Sequence, residues 1–451
     1  MTKMPSYTAT TNACKLCKPL GASLAFRGIE GCVPFLHGSQ GCATYMRRYI
    51  ISHFNEPIDI ASSSLGEKHA VYGGSANLKL GLKNVIQKYH PQLIGVATTC
   101  LTETIGDDVK MIISEYIKEF GQDAGHPGIV SVSTPSYSGT HMEGFNAAVR
   151  AVVEQLSEGG EKNAAVNLLP GFVSAADLRY LHDLFADFGC NLTMLPDYSD
   201  TLDGQALNDY PLIPEGGTPL AAIRKMGCSA ATVELGRTLP ELSAGTVLHD
   251  RHQVPLHRLG LPIGIRETDR FMAAISGITG AAIPENHSKA RGRLIDSMVD
   301  GHKYIFGKRA VVYGEEDLVV GLTSFLAEIG IKPVLCASGG KSGKMASAIA
   351  AVLEKTPSAM PEVHEDADFY DIEERAKELG VDLLIGHSKG YAFARRQNIP
   401  LVRVGFPIHD RMGGQRILHL GYHGAQMLFD TITNTIIEKK QDDSDVGYSY
   451  M

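Results

Sequence analysis

The chain has 451 residues, of which 44% are hydrophobic and 20% charged, and its formal net charge is −8. That length exceeds one typical domain and allows large cores, and the acidic balance argues against a nucleic-acid binder, which would show a basic face. No apolar run reaches the ~18 residues of a membrane span, and the start, MTKMPSYTATTNACK, lacks the apolar core of a secretory signal, so a cytoplasmic location is expected. Eight cysteines are too sparse for a disulfide scaffold; in a reducing cytosol they serve as core filler or metal ligands.

Residues 1–20 are polar and turn-rich and read as an arm that becomes ordered at Cys17. Cys17 stands in KLCKPLGA, just before Pro19 and Gly21. Next comes HGSQGC, His37 to Cys42, a polar pair bracketed by two glycines and closed by a thiol. Gly38 and Gly41 have no Cβ, so the backbone there can bend sharply and approach a bulky inorganic group. Cys100 ends LIGVATTC and precedes LTETIGDD. Each thiol sits at a segment end, where side chains converge, and thiolates are the soft ligands of iron–sulfur clusters. A lone cysteine is more commonly a small core hydrophobe, and gaps of 25 and 58 residues match no local ferredoxin or zinc pattern. Asp107 and Asp108 read as caps of the following helix rather than an acid–base pair.

From Leu93 onward, apolar runs alternate with amphipathic stretches. Strands are predicted at 93–99, 128–133, 165–169, 191–195, 230–235, 309–313, 332–337, 382–386 and 400–405, and helices at 143–157, 174–188, 317–329 and 371–379. This alternation implies βαβ units and parallel sheets. Three blocks are expected: 1–160 with the cysteine motifs, 161–300 closing on a linking helix, and 301–451 with a tail that begins charged and ends in tyrosines, read as solvated by default or else as a strap over a partner subunit. The linking helix is predicted from a Ser288 cap, with Leu294, Ile295, Met298 and Val299 as its apolar stripe. GGKSGK, Gly339 to Lys344, is not a P-loop, because the first glycine of that motif would fall on Leu335. Cys14 makes C-x-x-C with Cys17, but no second pair stands at a zinc-like distance, so it is read as a bystander. Cys32, Cys190, Cys228 and Cys336 are expected in cores. His387 lies at a strand end, where open sheets bind ligands, but is not read as a ligand.

The motifs KLCKPLGASLAF, FLHGSQGC, HFNEP, SSSLGEKHAVYGG, TTCLTETIGDDV and TPSYSG, in this order, resemble the amino-terminal domain of nitrogenase component 1 β-type subunits. ARGRLIDSMVDGH, DLVVGL, LLIGHSKG, LVRVGFPIHDR and LGYHGAQ extend the likeness over nearly the whole chain. The resemblance implies an α/β fold of three Rossmann-like parallel-sheet domains. It implies that Cys17, Cys42 and Cys100 are the β-side ligands of a P-cluster of the [8Fe-7S] type, shared with a homologous α-type subunit, with a [4Fe-4S] cluster as the alternative. Ser136, in TPSYSG, matches the serine that can ligate the oxidised cluster. Tyr45 matches a position on the electron path, and Tyr72, in AVYGG, matches an exposed aromatic where an ATP-dependent iron protein docks. Cys14 matches no ligand position. The implied assembly is an α2β2 heterotetramer, with the metal cofactor in the α-type subunit and ATP used by the docking partner.

Two functions fit that resemblance. One is the β-type subunit of a nitrogenase-like reductase acting on dinitrogen or, as in methylthio-alkane reductase, on thioether C–S bonds. The other is the β-like half of the non-catalytic scaffold on which the iron–molybdenum cofactor is assembled. PDYSDTLDG and GGTPLAAIRKMGCSAATVELG resemble the scaffold branch, and the start lacks the long extension of molybdenum nitrogenase β subunits. The full set of Cys17, Cys42, Cys100 and Ser136 favours the reductase.

Overall fold

The computed structural model describes residues 13–121 and 125–446. Three all-parallel sheets organise it. The first contains β1 (Cys32–His37), β2 (Ala61–Ser62), β3 (Leu93–Thr98) and β4 (Gly128–Val132) in the order β2-β1-β3-β4. The second contains β5 (Val166–Leu169), β6 (Leu192–Met194), β7 (Ala231–Leu235) and β8 (Leu256–Leu259) in the order β6-β5-β7-β8. The third contains β9 (Arg309–Tyr313), β10 (Lys332–Ala337), β11 (Glu362–His364), β12 (Leu383–Gly386) and β13 (Leu401–Arg403) in the order β11-β10-β9-β12-β13. Central strands covered by helices on both faces read as unbroken apolar runs, and β3 and β12 are buried at every position.

All nine predicted strands are present, and four more join them. β2 and β11 are two- and three-residue edge strands, too short to register as a pattern. β8 carries exposed His257 and Arg258 at a sheet edge. β1 contains Pro34, which argues against an interior strand. It is tolerated because β2 pairs only with Phe35 and Leu36, so no ladder partner faces the missing N–H. The four predicted helices occur at His141–Leu156, Ala175–Asp187, Glu316–Glu328 and Phe369–Leu379. Thr140 and Ser174 start the first two through reciprocal capping boxes with Glu143 and Asp177.

The linking helix differs from its prediction. It spans Glu285–Ile305, one turn earlier than a Ser288 cap, because Pro284 opens it. Its inner face is His287, Ala290, Leu294, Gly301 and Ile305, whereas Val299 is 72% exposed. Leu294 and Ile295 are neighbours in sequence, and successive helical residues point about 100° apart, so of the two only Leu294 reaches the core, while Met298 packs against it partly buried.

The segment that leads into Cys17 lies across the third sheet. Ala13 bridges Asp368, and Lys389 Nζ donates to the carbonyls of Ala13 and Lys15 at 2.8 and 3.0 Å. Cys14 is buried there, its Sγ 3.6 Å from His387 Nε2 and packed with Tyr313, which ends β9. Cys14 is therefore a structural plug rather than a bystander. The rest of the predicted arm, residues 1–12, and the tail end, 447–451, lie outside the described residues.

Candidate functional site

Cys17, Cys42 and Cys100 all stand at helix amino termini. Cys17 is the N-cap of the helix Lys18–Arg27, whose first turn carries Pro19. Cys42 lies in the first turn of Gln40–Phe54, which follows β1. Cys100 opens Cys100–Ile105, directly after β3, with Thr99 and Thr102 forming its capping box. The positive end of a helix dipole favours thiolate over thiol.

The three positions meet on one face. The Ser136 amide donates to Cys100 Sγ at 3.2 Å, and the Lys18 amide donates to Ser136 Oγ at 3.2 Å. Ser39 Oγ donates to Cys42 Sγ at 3.4 Å. Burial pushes the Cys17 thiol up, its hydrogen bond with Ser136 opposes that, and the like charges of Cys100 and Cys42 add to it. Cys100 is exposed, while Cys17, Cys42 and Ser136 are partly so. Cys14, Cys32 and Cys336 behave differently: each is buried, and burial holds its thiol at about 12. Cys190 and Cys228, expected in cores, are only half-buried, each at the margin of the second sheet's layer.

Close backbone contacts fix this convergence. A Cβ on Gly21 would fall 1.6 Å from His141 O, and one on Gly144 would fall 1.8 Å from Lys18 O. The helix bearing Cys17 and the helix that follows Ser136 are thus in direct main-chain contact. Gly38 answers a different need from the one its motif suggested. Its missing Cβ makes room for the Thr99 side chain, 2.2 Å from where a Cβ would sit, which locks the Cys42 loop onto the Cys100 turn. Gly41 alone of the pair faces open space, with only Ser39 Oγ within 4 Å of a Cβ position.

Asp108 caps the helix Val109–Phe120 by accepting the Met111 amide at 3.0 Å. Asp107 does not share that role. It accepts from His37 Nε2 and from the Gly74 amide, and so joins the cysteine loop to the turn beyond Tyr72. The spacing of these residues carried no signal of that link. Tyr45 follows Cys42 by three residues on the same helix, 40% exposed, with its ring 4.8 Å from Tyr49. Burial raises its hydroxyl, and Tyr49 and Cys17 add to that shift. Tyr72 closes the short helix His69–Tyr72 and is 87% exposed.

A profile of the family described as nitrogenase component 1 type oxidoreductase matches residues 17–437. The chain belongs to that family. It is 39% identical to the nitrogenase molybdenum–iron protein beta chain of Clostridium pasteurianum, over 95% of this chain and 93% of the relative. The nitrogenase vanadium–iron protein beta chain of Trichormus variabilis is 34% identical, over 94% of this chain and 94% of that one. A solved structure described as nitrogenase Cp1 at pH 6.5 superposes with a TM-score of 0.95 at 37% identity, covering 99% of this chain and 98% of that one. The three parallel-sheet domains are those of nitrogenase component 1, and the chain is a β-type subunit of a nitrogenase-like oxidoreductase.

The family uses iron–sulfur clusters, and this component 1 chain offers a fitting donor set. Three thiols of the soft class that binds iron–sulfur groups share a half-exposed face with a serine hydroxyl. Among the described residues, no three His, Cys, Asp or Glu side chains come close enough to hold one metal ion. No helix of the described residues is long and apolar enough to cross a membrane.

Proposed function

We propose that this chain holds its half of a P-cluster through Cys17, Cys42 and Cys100, at the contact with a homologous α-type subunit of an α2β2 heterotetramer, and relays electrons there. The reading rests on one observation: three thiols far apart in sequence meet at helix amino termini on one partly exposed face, beside Ser136. An iron–sulfur cluster, when bound, stores and passes single electrons at a potential tuned by its ligands and burial. This chain's own part is to fix three thiolates, exclude water with the helices behind them, and present Ser136 Oγ as a further donor on oxidation. Tyr45 lies one helical turn beyond Cys42, which supports a position on the route toward the α-type subunit's metal cofactor. Tyr72 is an exposed aromatic anchor for an ATP-dependent iron protein. Residues 1–160, 161–300 and 301–451 act as the three domains, and the complex works in the cytoplasm.

The relatives' names support dinitrogen as the substrate and a reductase rather than a scaffold. The test is to purify the chain with its α-type partner and measure iron content and iron-protein-dependent reduction of dinitrogen, acetylene and a thioether. Dinitrogen and acetylene reduction is the expected result. Thioether reduction alone, or an iron-loaded complex that reduces none of them, would overturn it. Cys42→Ala should lose most of this chain's share of cluster iron and weaken pairing with the α-type subunit; full iron content with intact pairing would refute the ligand assignment.

A further inference from the structure

A cavity of about 430 Å³ lies where strand ends from all three sheets meet. Ser133 follows β4, Thr238 lies just beyond β7, Gly314 follows β9, and Ser338 follows β10, and all four line it. Open parallel sheets bind ligands outside the carboxyl ends of their strands, and this volume falls within the range of small-molecule pockets.

The walls carry three lysines that make no close ion pair among the described residues. Lys18, Lys341 and Lys344 line the cavity, and among the described residues none has a carboxylate within ion-pair distance. Lys18 Nζ donates instead to Ser138 Oγ at 3.1 Å, and Lys344 Nζ to the Leu239 carbonyl at 2.6 Å. Arg150, also on the wall, pairs through its Nε with Glu154 at 3.5 Å along its own helix, and its Nη1 donates to the Leu242 carbonyl at 3.4 Å. Burial lowers the Lys18 ammonium most, the charges of Glu143 and then Glu103 oppose that from beyond ion-pair distance, and Arg150 adds a smaller repulsion.

The carboxylates on the same walls are engaged within the protein. Glu315 pairs with His141 at 3.0 Å, and Asp317 accepts the amides of Arg237 and Thr238 at 2.6 and 2.9 Å. Glu143 accepts the Thr140 amide at 2.8 Å, and Glu316 accepts the Ser342 amide at 3.0 Å. The GGKSGK loop belongs to this wall. Its Ser342 amide goes to Glu316 and its Gly343 amide to Glu365 at 3.2 Å, so those amides form no anion cradle, and Lys341 and Lys344 are what the loop adds to the cavity lining.

We propose that this three-domain cavity binds a small anion with two or more negative charges, an organic di- or tricarboxylate or a phosphate. The Nη2 of Arg150 is left for a charge-assisted contact with a carboxylate or phosphate oxygen, and Lys341 and Lys344 supply point charges from the facing wall. The site needs no cluster, so it is independent of the electron-relay reading.

Isothermal titration calorimetry on the purified complex with its α-type partner tests it, using citrate, inorganic phosphate and, as the single-charge control, acetate. Saturable binding of citrate or phosphate at one site per chain is expected, with acetate at least about tenfold weaker. Citrate without phosphate identifies a polycarboxylate site, and phosphate without citrate identifies a phosphate site. Arg150→Gln and Lys344→Gln should each weaken binding about tenfold. Lys341→Gln, on the exposed rim, should weaken it by a smaller factor without touching the fold. No saturable binding of citrate or phosphate, acetate binding as tightly as citrate, or binding unchanged in all three variants would overturn the proposal.

Discussion

His37 Nε2 lies 3.1 Å from Asp107 Oδ2, a contact that spans 70 residues of sequence and ties the end of β1 to the turn before the helix Val109–Phe120. The other ring nitrogen of His37 is 2.9 Å from Ser63 Oγ, which also accepts the Gly38 amide at 2.9 Å. Asp107 completes the chain by accepting the Gly74 amide at 3.0 Å. One buried imidazole therefore connects the loop that carries Cys42 with the turn that presents Tyr72.

Asp107→Ala should strip His37 of a partner and leave the Gly74 amide unpaired, at a cost of about 1–3 kcal/mol. On the proposed docking role, it should also weaken iron-protein binding while leaving iron content near the wild-type value. Thermal unfolding and a binding titration with the iron protein measure the two effects. A lowered Tm with unchanged binding would make the contact structural alone.

Tyr72→Ala should behave in the opposite way. The ring is 87% exposed, so unfolding should shift by no more than about 0.5 kcal/mol. If the ring anchors the iron protein, turnover at limiting iron protein should drop severalfold, and excess iron protein should restore it. Turnover identical to wild type at every iron-protein concentration would remove Tyr72 from the interface.

Gly21→Ala should drive a methyl group into the His141 carbonyl and force two helices apart, costing about 1–3 kcal/mol or more. Since those helices set the distance between Cys17 and Ser136, iron retention should fall with stability. Gly41→Ala is the control, because its Cβ would meet only Ser39 Oγ at 3.9 Å. The metal-free protein should accept it with little change in Tm. Equal destabilisation by both substitutions would contradict the packing argument.

Glu328 makes a pH prediction. Burial raises its carboxyl to about 7, against the amides of Ile265 and Arg266 and the charge of Arg266, which favour the anion. Between the ordinary carboxylate pKa and about 7, the folded chain keeps a proton that the unfolded chain has lost. Stability therefore falls as pH rises through that window and levels off above it. Glu328→Gln should flatten this slope and gain on the order of 2–3 kcal/mol relative to wild type by about pH 8. Tm measured for both proteins across the window checks it; parallel curves would show that the carboxyl titrates normally.

Much of the fold was legible because the interior strands of parallel sheets are apolar runs closed by turn residues, as in LIGVAT and LLIG. The strands that escaped notice lacked that mark: β1 holds a proline, β8 is polar at an edge, and β2 and β11 are too brief. Asp107 and Asp108 show the limit of local reading. Both are acids before a helix, yet only Asp108 reaches an amide three residues on, while Asp107 is claimed by a histidine 70 residues upstream. The cysteines were found through the resemblance of their motifs, since their spacing alone fits no metal pattern. The support from Lys389, more than 370 residues away in sequence, carried no local signal.

The position of Cys14 has a further consequence. In the third sheet the strand order reverses between β9 and β12, and a crevice of that kind is the customary seat for a nucleotide. Here Tyr313 and Cys14 occupy it, next to His387. The segment that leads into Cys17 thus seals the switch point of the third sheet, and loosening that segment would open the sheet's end as well as move the thiol.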